Sequence, residues 1–241
     1  MGESTIVCEE SFATLIRYFM VNRQIEEDTL TQICAQIFSE GKTLANIIQA
    51  ANTILDDSKM KIQSALCEVT SGKYYVLIST HFRPDSLWPN KYTNIELEYI
   101  KSIINELVIS DTGMISLMKC LNLEMKMNKT DAQNLIKNLI VEKWLIEPYE
   151  GKLALSALSI TELEPYFKQN YESLLNTCIF CQRNIFFGEI CVNCNSIGHR
   201  ACITKYQELM KNRFRCPSCG KNWNQLLHRN PDEAMQIIES N

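Results

Sequence analysis

Seven of the eleven cysteines fall between Cys178 and Cys219, and His199 lies among them. The eight residues form four pairs, and two residues separate the members of each pair, so that a tight turn can direct both side chains at one ion. Thiolate and imidazole are ligands that Zn²⁺ prefers, and four of them close a tetrahedral site. The start of the sequence shows no secretory signal pattern, which favours metal ligands over disulfides. We therefore predict two structural zinc ions without an open position for a reacting water.

The four pairs can share two ions in two ways. Sequential pairing would place the first two pairs on one ion, whereas interleaved pairing joins the first pair to the third and the second to the fourth. The gap between Cys194 and His199 is too short for independent modules, and a segment this small needs cross-links because its apolar core is small. We predict the interleaved arrangement, with zinc 1 on Cys178, Cys181, His199 and Cys202, and zinc 2 on Cys191, Cys194, Cys216 and Cys219.

This C4HC3 ligand order resembles the cross-braced RING and PHD zinc-finger families. RING fingers with ligase activity hold a ubiquitin-charged conjugating enzyme, whose own cysteine supplies the chemistry. The positions typical of that contact correspond here to Phe180, Tyr206 and Pro217. Packing between the zinc sites is the alternative role of the two aromatic residues. Gly220 follows the last ligand, where strongly active RING fingers often carry a cation, so the resemblance implies weak activity without a partner.

A PHD finger, which reads histone tails, is the alternative with the same ligand order. A cationic methyl-lysine tail requires carboxylates and an aromatic cage. Between the first and last ligands the sequence offers only Glu189 and Glu208, against six basic residues. This balance disfavours a histone tail as the ligand.

Apolar residues recur at helical spacing three times in the first part of the chain, which predicts three short helices. The three sets are Phe12, Leu15, Ile16 and Phe19; Leu30, Ile33, Cys34 and Ile37; and Leu44, Ile47, Ile48 and Ala51. The period then changes to alternation over residues 60–66, and a β-rich run covers residues 74–78 after a turn at residues 70–73. Three helices followed by a hairpin is the winged-helix layout.

The same layout recurs after a linker at residues 83–90, which contains two prolines. Thr93 and Glu96 form a capping box that opens the first helix of this second unit. The remaining predicted elements are a turn at residues 110–113, a short helix near 115–121, a third helix capped by Thr130 and Gln133, strands at 144–146 and 153–155 around a wing tip at 148–152, and a connecting helix at 162–175.

The predicted fold is therefore mainly α with small β wings. Tandem winged-helix domains precede a cross-braced C4HC3 RING-like zinc domain. We place the domains at residues 1–88, at 89–175 with the connecting helix, and at 176–225, followed by a C-terminal tail at 226–241.

The charge pattern bears on nucleic-acid and membrane contact. The net charge is −4, and phosphate affinity needs clustered Lys and Arg. The third helix of the second unit offers basic and amide side chains but also two acidic ones, and this mixed face fits protein docking better than a DNA groove. These residues are Lys129, Lys137, Asn138 and Lys143, against Asp131 and Glu142. We expect DNA contact only weakly or through a complex. No apolar run approaches the roughly 18 residues of a membrane helix, so we expect no membrane contact.

The layout from about Phe12 to Trp223 resembles the non-structural maintenance of chromosomes element 1 family. The resemblance rests on the order of the units, residues 110–113 and 143–146, and the zinc ligands. It implies the RING subunit, an E3 ubiquitin ligase, of a cohesin-related SMC complex that acts in DNA repair by homologous recombination. The implied partners are a kleisin and a MAGE-like winged-helix subunit that stimulates the ligase. The implied location is the nucleus, on chromatin, and a non-catalytic adaptor that only docks partners is the alternative function.

Overall fold

The computed structural model describes residues 2–38, 41–81, 92–124, 127–211, 214–223 and 226–227. Over these ranges the chain is mainly helical, and its strands form three three-stranded sheets and one two-stranded sheet. The prediction of a mainly helical chain with small sheets is confirmed. The linker predicted at residues 83–90 lies outside the described residues.

The first unit contains three helices and a three-stranded antiparallel sheet. The elements are α1 (Gly2–Asn22), β1 (Gln24–Glu26), α2 (Glu27–Ile37), α3 (Leu44–Leu55), β2 (Met60–Leu66) and β3 (Lys73–Ser79). The sheet order is β1-β3-β2, and Val76 of β3 faces Gln24 on one side and Gln63 on the other. The core consists of apolar residues from all three helices and the sheet, including Phe12, Leu15, Phe19, Leu30, Ile47, Ala51, Ile62 and Leu77. The helical spacing of these residues is what directs them to one face.

The second unit repeats this order of elements. It contains α4 (Asn94–Ile109), β4 (Met114–Ser116), α5 (Leu117–Leu121), α6 (Lys129–Val141), β5 (Leu145–Tyr149) and β6 (Lys152–Leu155). Its antiparallel sheet has the order β4-β6-β5. One face of α4 is buried through Tyr99, Ile100, Ile103, Ile104 and Leu107.

Two predictions about this unit are wrong in detail. The helix expected at residues 115–121 begins only at Leu117, because Ile115 pairs with Leu153 as part of β4. Asn128 rather than Thr130 caps α6, since the Asn128 side chain accepts a hydrogen bond from the backbone N–H of Asp131 at 2.8 Å.

The capping box at the start of α4 is confirmed. The Thr93 hydroxyl accepts from the Glu96 backbone N–H at 3.3 Å, and the Glu96 carboxylate accepts from the Thr93 backbone N–H at 2.7 Å. We expect Thr93→Ala to lower the free energy of unfolding by about 1 kcal/mol, because a helix donor loses its acceptor. Thr130→Ala is the matched control, since Thr130 is exposed and does not cap α6. We expect Thr130→Ala to change the free energy of unfolding by no more than about 0.5 kcal/mol. Equal losses for the two variants in urea titrations would contradict the assignment of the caps.

The connecting segment is two short helices rather than the single predicted helix. They are α7 (Ala157–Glu162) and α8 (Glu164–Tyr171), which meet at Leu163. Ala157 and Leu158 of α7 pack on Ala65 and Val76 of the first sheet. The backbone N–H of Leu158 also donates to the Gln24 side chain at 2.9 Å. The second unit is therefore packed directly on the first.

The cysteine-rich module follows these helices. It contains β7 (Asn176–Thr177), β8 (Asn184–Ile185), β9 (Glu189–Cys191), β10 (Ile197–Gly198), α9 (Arg200–Met210) and β11 (Leu226–Leu227). β7 pairs with β8, and β9 lies between β10 and β11. Leu226 and Leu227 lie in the segment predicted to be a C-terminal tail, and they pair with β9 of the module.

Candidate metal centres

Tight turns hold the three Cys-x2-Cys pairs. In each turn a backbone N–H just after the second cysteine donates to the carbonyl of the first: Gln182 to Cys178, Asn195 to Cys191, and Gly220 to Cys216, at 2.8–2.9 Å. These three donor residues have φ values of 58°, 56° and 69°, the left-handed conformation that closes such a turn. The fourth pair differs, because His199 is the N-cap residue of α9 and Cys202 lies in its first turn.

The eight side chains gather into two groups of four. Metal group 1 contains Cys178, Cys181, His199 and Cys202, and metal group 2 contains Cys191, Cys194, Cys216 and Cys219. In each group the potential ligand atoms all lie within 4.8 Å of one another. The grouping is that of the interleaved pairing, in which the two sites share one continuous segment.

The distances within the groups fit a tetrahedral zinc ion. In metal group 2, the Sγ atoms of Cys191 and Cys219 are 3.8 Å apart, and those of Cys194 and Cys216 are 3.6 Å apart. Four Zn–S bonds of about 2.3 Å give a tetrahedral edge of about 3.8 Å, whereas a disulfide would require about 2.05 Å. In metal group 1, Nδ1 of His199 lies 3.4 Å from the Cys181 sulfur, close to the edge of about 3.5 Å for a mixed N/S site. Both groups could therefore hold a metal ion.

The surroundings of the sulfur atoms favour thiolate at one cysteine of each group. Burial acts to raise the pKa of Cys178, but hydrogen bonds from His199 and backbone N–H groups lower this pKa to about 6. Hydrogen bonds from Ser196 lower the pKa of Cys194 to about 6. Burial instead raises the pKa of Cys202 to about 11. A bound cation would reverse that rise, since a coordinating thiol is deprotonated outright.

The three residues predicted to contact a conjugating enzyme lie in different surroundings. Phe180 and Tyr206 are half-buried, with ring centroids 5.1 Å apart. Phe180 also packs on Trp223, whose side chain is fully buried in the module. Pro217 is exposed. The two aromatic residues thus form part of the small core between the metal groups, and Pro217 lies free on the surface beside Cys216.

The acidic residues of the module are poorly placed for a cationic peptide. The Glu189 side chain is buried and accepts a hydrogen bond from Nε of Arg200 at 3.0 Å. Of the two carboxylates between the first and last ligands, this leaves Glu208 exposed on α9. The burial of Glu189 disfavours a histone tail as the ligand.

The face of α6 keeps its mixed character in the structure. Nζ of Lys129 donates to the Asn122 side chain at 3.1 Å, and the Tyr92 hydroxyl donates to the Glu142 carboxylate at 2.6 Å. Lys129 and Glu142 therefore make intramolecular hydrogen bonds. Separately, no helix in the described part of the chain is both long and apolar enough to span a membrane.

Sequence reasoning missed one residue beside metal group 1, Glu68. Its Oε1 lies 3.1 Å from Nε2 of His199, and its Oε2 accepts hydrogen bonds from the backbone N–H groups of Phe186 and Phe187 at 2.9 and 2.7 Å. Glu68 belongs to the turn between β2 and β3 of the first unit and precedes His199 by 131 residues. A single glutamate in a turn carries no sequence signal for this contact.

Comparisons with known proteins agree with one another. A family model described as the Nse1 non-SMC component of the SMC5-6 complex matches residues 13–124. The chain is 26% identical over 231 residues to the non-structural maintenance of chromosomes element 1 homolog of Homo sapiens, covering 92% of this chain and 86% of the relative. It is 20% identical over 220 residues to the Schizosaccharomyces pombe protein, covering 87% of this chain and 90% of the relative.

A solved structure of an Nse1–Nse3–Nse4 complex contains a chain of the same fold. The TM-score is 0.78 at 24% sequence identity, and the match covers 90% of this chain and 97% of that chain. The fold and the site define a mainly helical protein that ends in a cysteine-rich module with two four-residue metal-binding groups. The family model and the relatives show that the chain is similar to the non-structural maintenance of chromosomes element 1 proteins, Nse1.

Proposed function

We propose that the chain binds two structural zinc ions and serves as the RING-type E3 ubiquitin ligase subunit of an SMC complex. The main support for this proposal is the interleaving of the two metal groups, which builds one rigid platform from a short segment. Each closed site uses four protein ligands, so zinc supports the fold and does not activate water. The chemistry belongs to the cysteine of the conjugating enzyme that the platform holds.

The proposed platform consists of Phe180, Tyr206 and Pro217. Phe180 lies between two ligands of metal group 1, and Pro217 lies between two ligands of metal group 2, so the zinc ions fix both positions. The contact between the Phe180 and Tyr206 rings holds these side chains in a half-buried cluster. An anchored apolar patch of this kind loses little side-chain entropy on binding, which is typical of interface anchors.

The two helical units are proposed to be winged-helix domains, at residues 1–88 and 89–175, that dock protein partners. In each unit one strand follows the first helix, the last two strands follow the third helix as a hairpin, and all three strands form one antiparallel sheet. The proposed partners are a MAGE-like winged-helix subunit and a kleisin, in the nucleus, with DNA reached weakly or through the complex. The likeness to the fold of a chain in an Nse1–Nse3–Nse4 complex and the family description support this assignment.

The test is discharge of ubiquitin from a panel of charged conjugating enzymes, with and without the MAGE-like partner. We expect the partner to accelerate discharge. Pro217→Ala should reduce the discharge rate about tenfold, because loss of about 1.4 kcal/mol of binding changes affinity by that factor. Pro165→Ala is the matched control, since Pro165 is also exposed but lies in α8. Equal rates for both variants would contradict the proposed contact.

A non-catalytic adaptor is the second candidate, and Gly220 favours it. Gly220 follows the last ligand with φ of 69°, so the cation often found there in active RING fingers would need a strained backbone. Lys221, one residue later, is exposed. If the MAGE-like partner binds but no conjugating enzyme in the panel discharges faster in either condition, the adaptor function replaces the ligase function.

A further inference from the structure

The buried carboxylate of Glu68 belongs to the first unit but makes its hydrogen bonds to the cysteine-rich module. Its side chain is 5% exposed, and its three hydrogen-bond partners among the described residues lie in the cysteine-rich module: Nε2 of His199 and the N–H groups of Phe186 and Phe187. A carboxylate this buried is costly unless it is fully hydrogen-bonded. The first unit thus places a buried acceptor against the module.

The segment that receives Glu68 is held from both helical units. Phe186 and Phe187 lie in the loop between the second and third ligands. The Phe186 ring lies 4.8 Å from that of Phe167 in α8, and Phe187 packs with Cys67 of the first unit and Met114 of the second. This packing fixes the geometry of Glu68 relative to His199.

The orientation of the His199 ring determines which nitrogen could bind a metal ion and which nitrogen faces Glu68. Nδ1 faces the sulfur atoms of Cys181 and Cys202, at 3.4 and 3.8 Å, while Nε2 faces Glu68. An imidazole that binds a metal through Nδ1 carries its proton on Nε2, and that proton needs an acceptor when the group is buried. A carboxylate in this position fixes the ring and increases the ligand strength of the other nitrogen.

We infer that Glu68 is a positioning residue for metal group 1, so that retention of this ion depends on docking of the first helical unit. The inference rests on the proposed zinc ions. The cysteine-rich module supplies all four ligands, but the outer contact that orients one of them comes from the first helical unit. Metal group 2 has no such contact with Glu68 among the residues that the structure describes.

Glu68→Gln in the full chain tests the inference. The amide oxygen of glutamine can still accept from the Phe186 and Phe187 N–H groups, but its NH₂ group then faces the Nε2–H of His199, so two donors oppose each other. We expect one of the two zinc ions to transfer to a chelator about 10–100-fold faster than in the wild type, which is the usual effect of losing such an outer contact. The second ion should leave at the wild-type rate.

Two controls separate positioning from a loss of stability. Glu162→Gln removes another half-buried carboxylate that joins the helical units, through its ion pair with Arg23 at 3.4 Å, and should leave both zinc release rates unchanged. In a His199→Cys background no imidazole remains at metal group 1. Glu68→Gln should then change the rate of zinc release from this group much less than it does in the wild-type background. An equal effect in both backgrounds would show a merely structural role.

A measurement on the wild type keeps the inference testable if Glu68→Gln does not fold. Long-range ¹H–¹⁵N NMR of His199 should show a protonated Nε2 and a metal-bound Nδ1, with slow exchange of the Nε2 proton. A metal-bound Nε2, or wild-type release of both ions from Glu68→Gln, overturns the inference. Elemental analysis distinguishes this failure from failure of the proposed zinc sites, because wild-type protein without two ions per chain contradicts the sites themselves.

Discussion

Cys191→Ser is expected to unfold the cysteine-rich module while the two helical units stay folded. Cys191 is a buried member of metal group 2 and also lies in β9, the central strand of the module's three-stranded sheet. Loss of one thiolate removes much of a metal-binding free energy on the order of 10 kcal/mol, and a core this small cannot replace it. Zinc content should fall from two ions per chain to one or fewer.

Cys34→Ser provides the matched control for the loss of a buried thiol. Cys34 is buried in the core of the first unit, away from both metal groups. This variant should keep two zinc ions while lowering the melting temperature of the helical part. Elemental analysis and calorimetry together distinguish the cases, and wild-type zinc content and melting in Cys191→Ser would refute the assignment of metal group 2.

Gly113→Ala is expected to have the second large effect. Gly113 has φ of 65°, and a Cβ atom at this position would lie 2.2 Å from the carbonyl oxygen of Phe186 and 3.1 Å from the nitrogen of Phe187. These are backbone atoms that cannot rotate away. The left-handed backbone costs roughly 1–2 kcal/mol for alanine, and overpacking adds about 1–3 kcal/mol.

The clash should also disturb Glu68, because the displaced segment donates two of its hydrogen bonds. We therefore expect Gly113→Ala to lose about 2–5 kcal/mol of stability and to release zinc from metal group 1 faster. Gly151→Ala isolates the backbone cost, since Gly151 has φ of 69° and an added Cβ would meet no described atom within 4 Å. Equal destabilisation in urea titrations would mean that Gly113 does not contact the module in solution.

The strongly periodic parts of the fold were predictable from sequence. The helices α2, α3 and α4 follow apolar residues at helical spacing, and the Thr93 capping box marks the start of α4. The three-residue strands β1 and β4 were not predicted, because a strand this short shows no alternation and depends on its partner strand. The break at Leu163 was also missed, since α7 and α8 contact different neighbours, which a local pattern does not record.

At the metal groups, too, the local features were predictable from sequence and the long-range contacts were not. Spacing alone indicates ligand pairs, because two residues between ligands correspond to one tight turn. Glu68 has no comparable signal, since its partner His199 lies 131 residues away and only the packing of the units brings them together. The same is true of Phe186 and Phe187, which look like ordinary core residues in sequence.

The loop that carries Phe186 and Phe187 has a further consequence for the position of the cysteine-rich module. Phe186 packs on Phe167 and Phe187 packs with Met114, so this loop fixes the cysteine-rich module against the helical units. Under the proposed ligase function, a conjugating enzyme bound to this fixed module would keep one orientation, and the subunit bound to the helical units would determine which lysines lie within its reach.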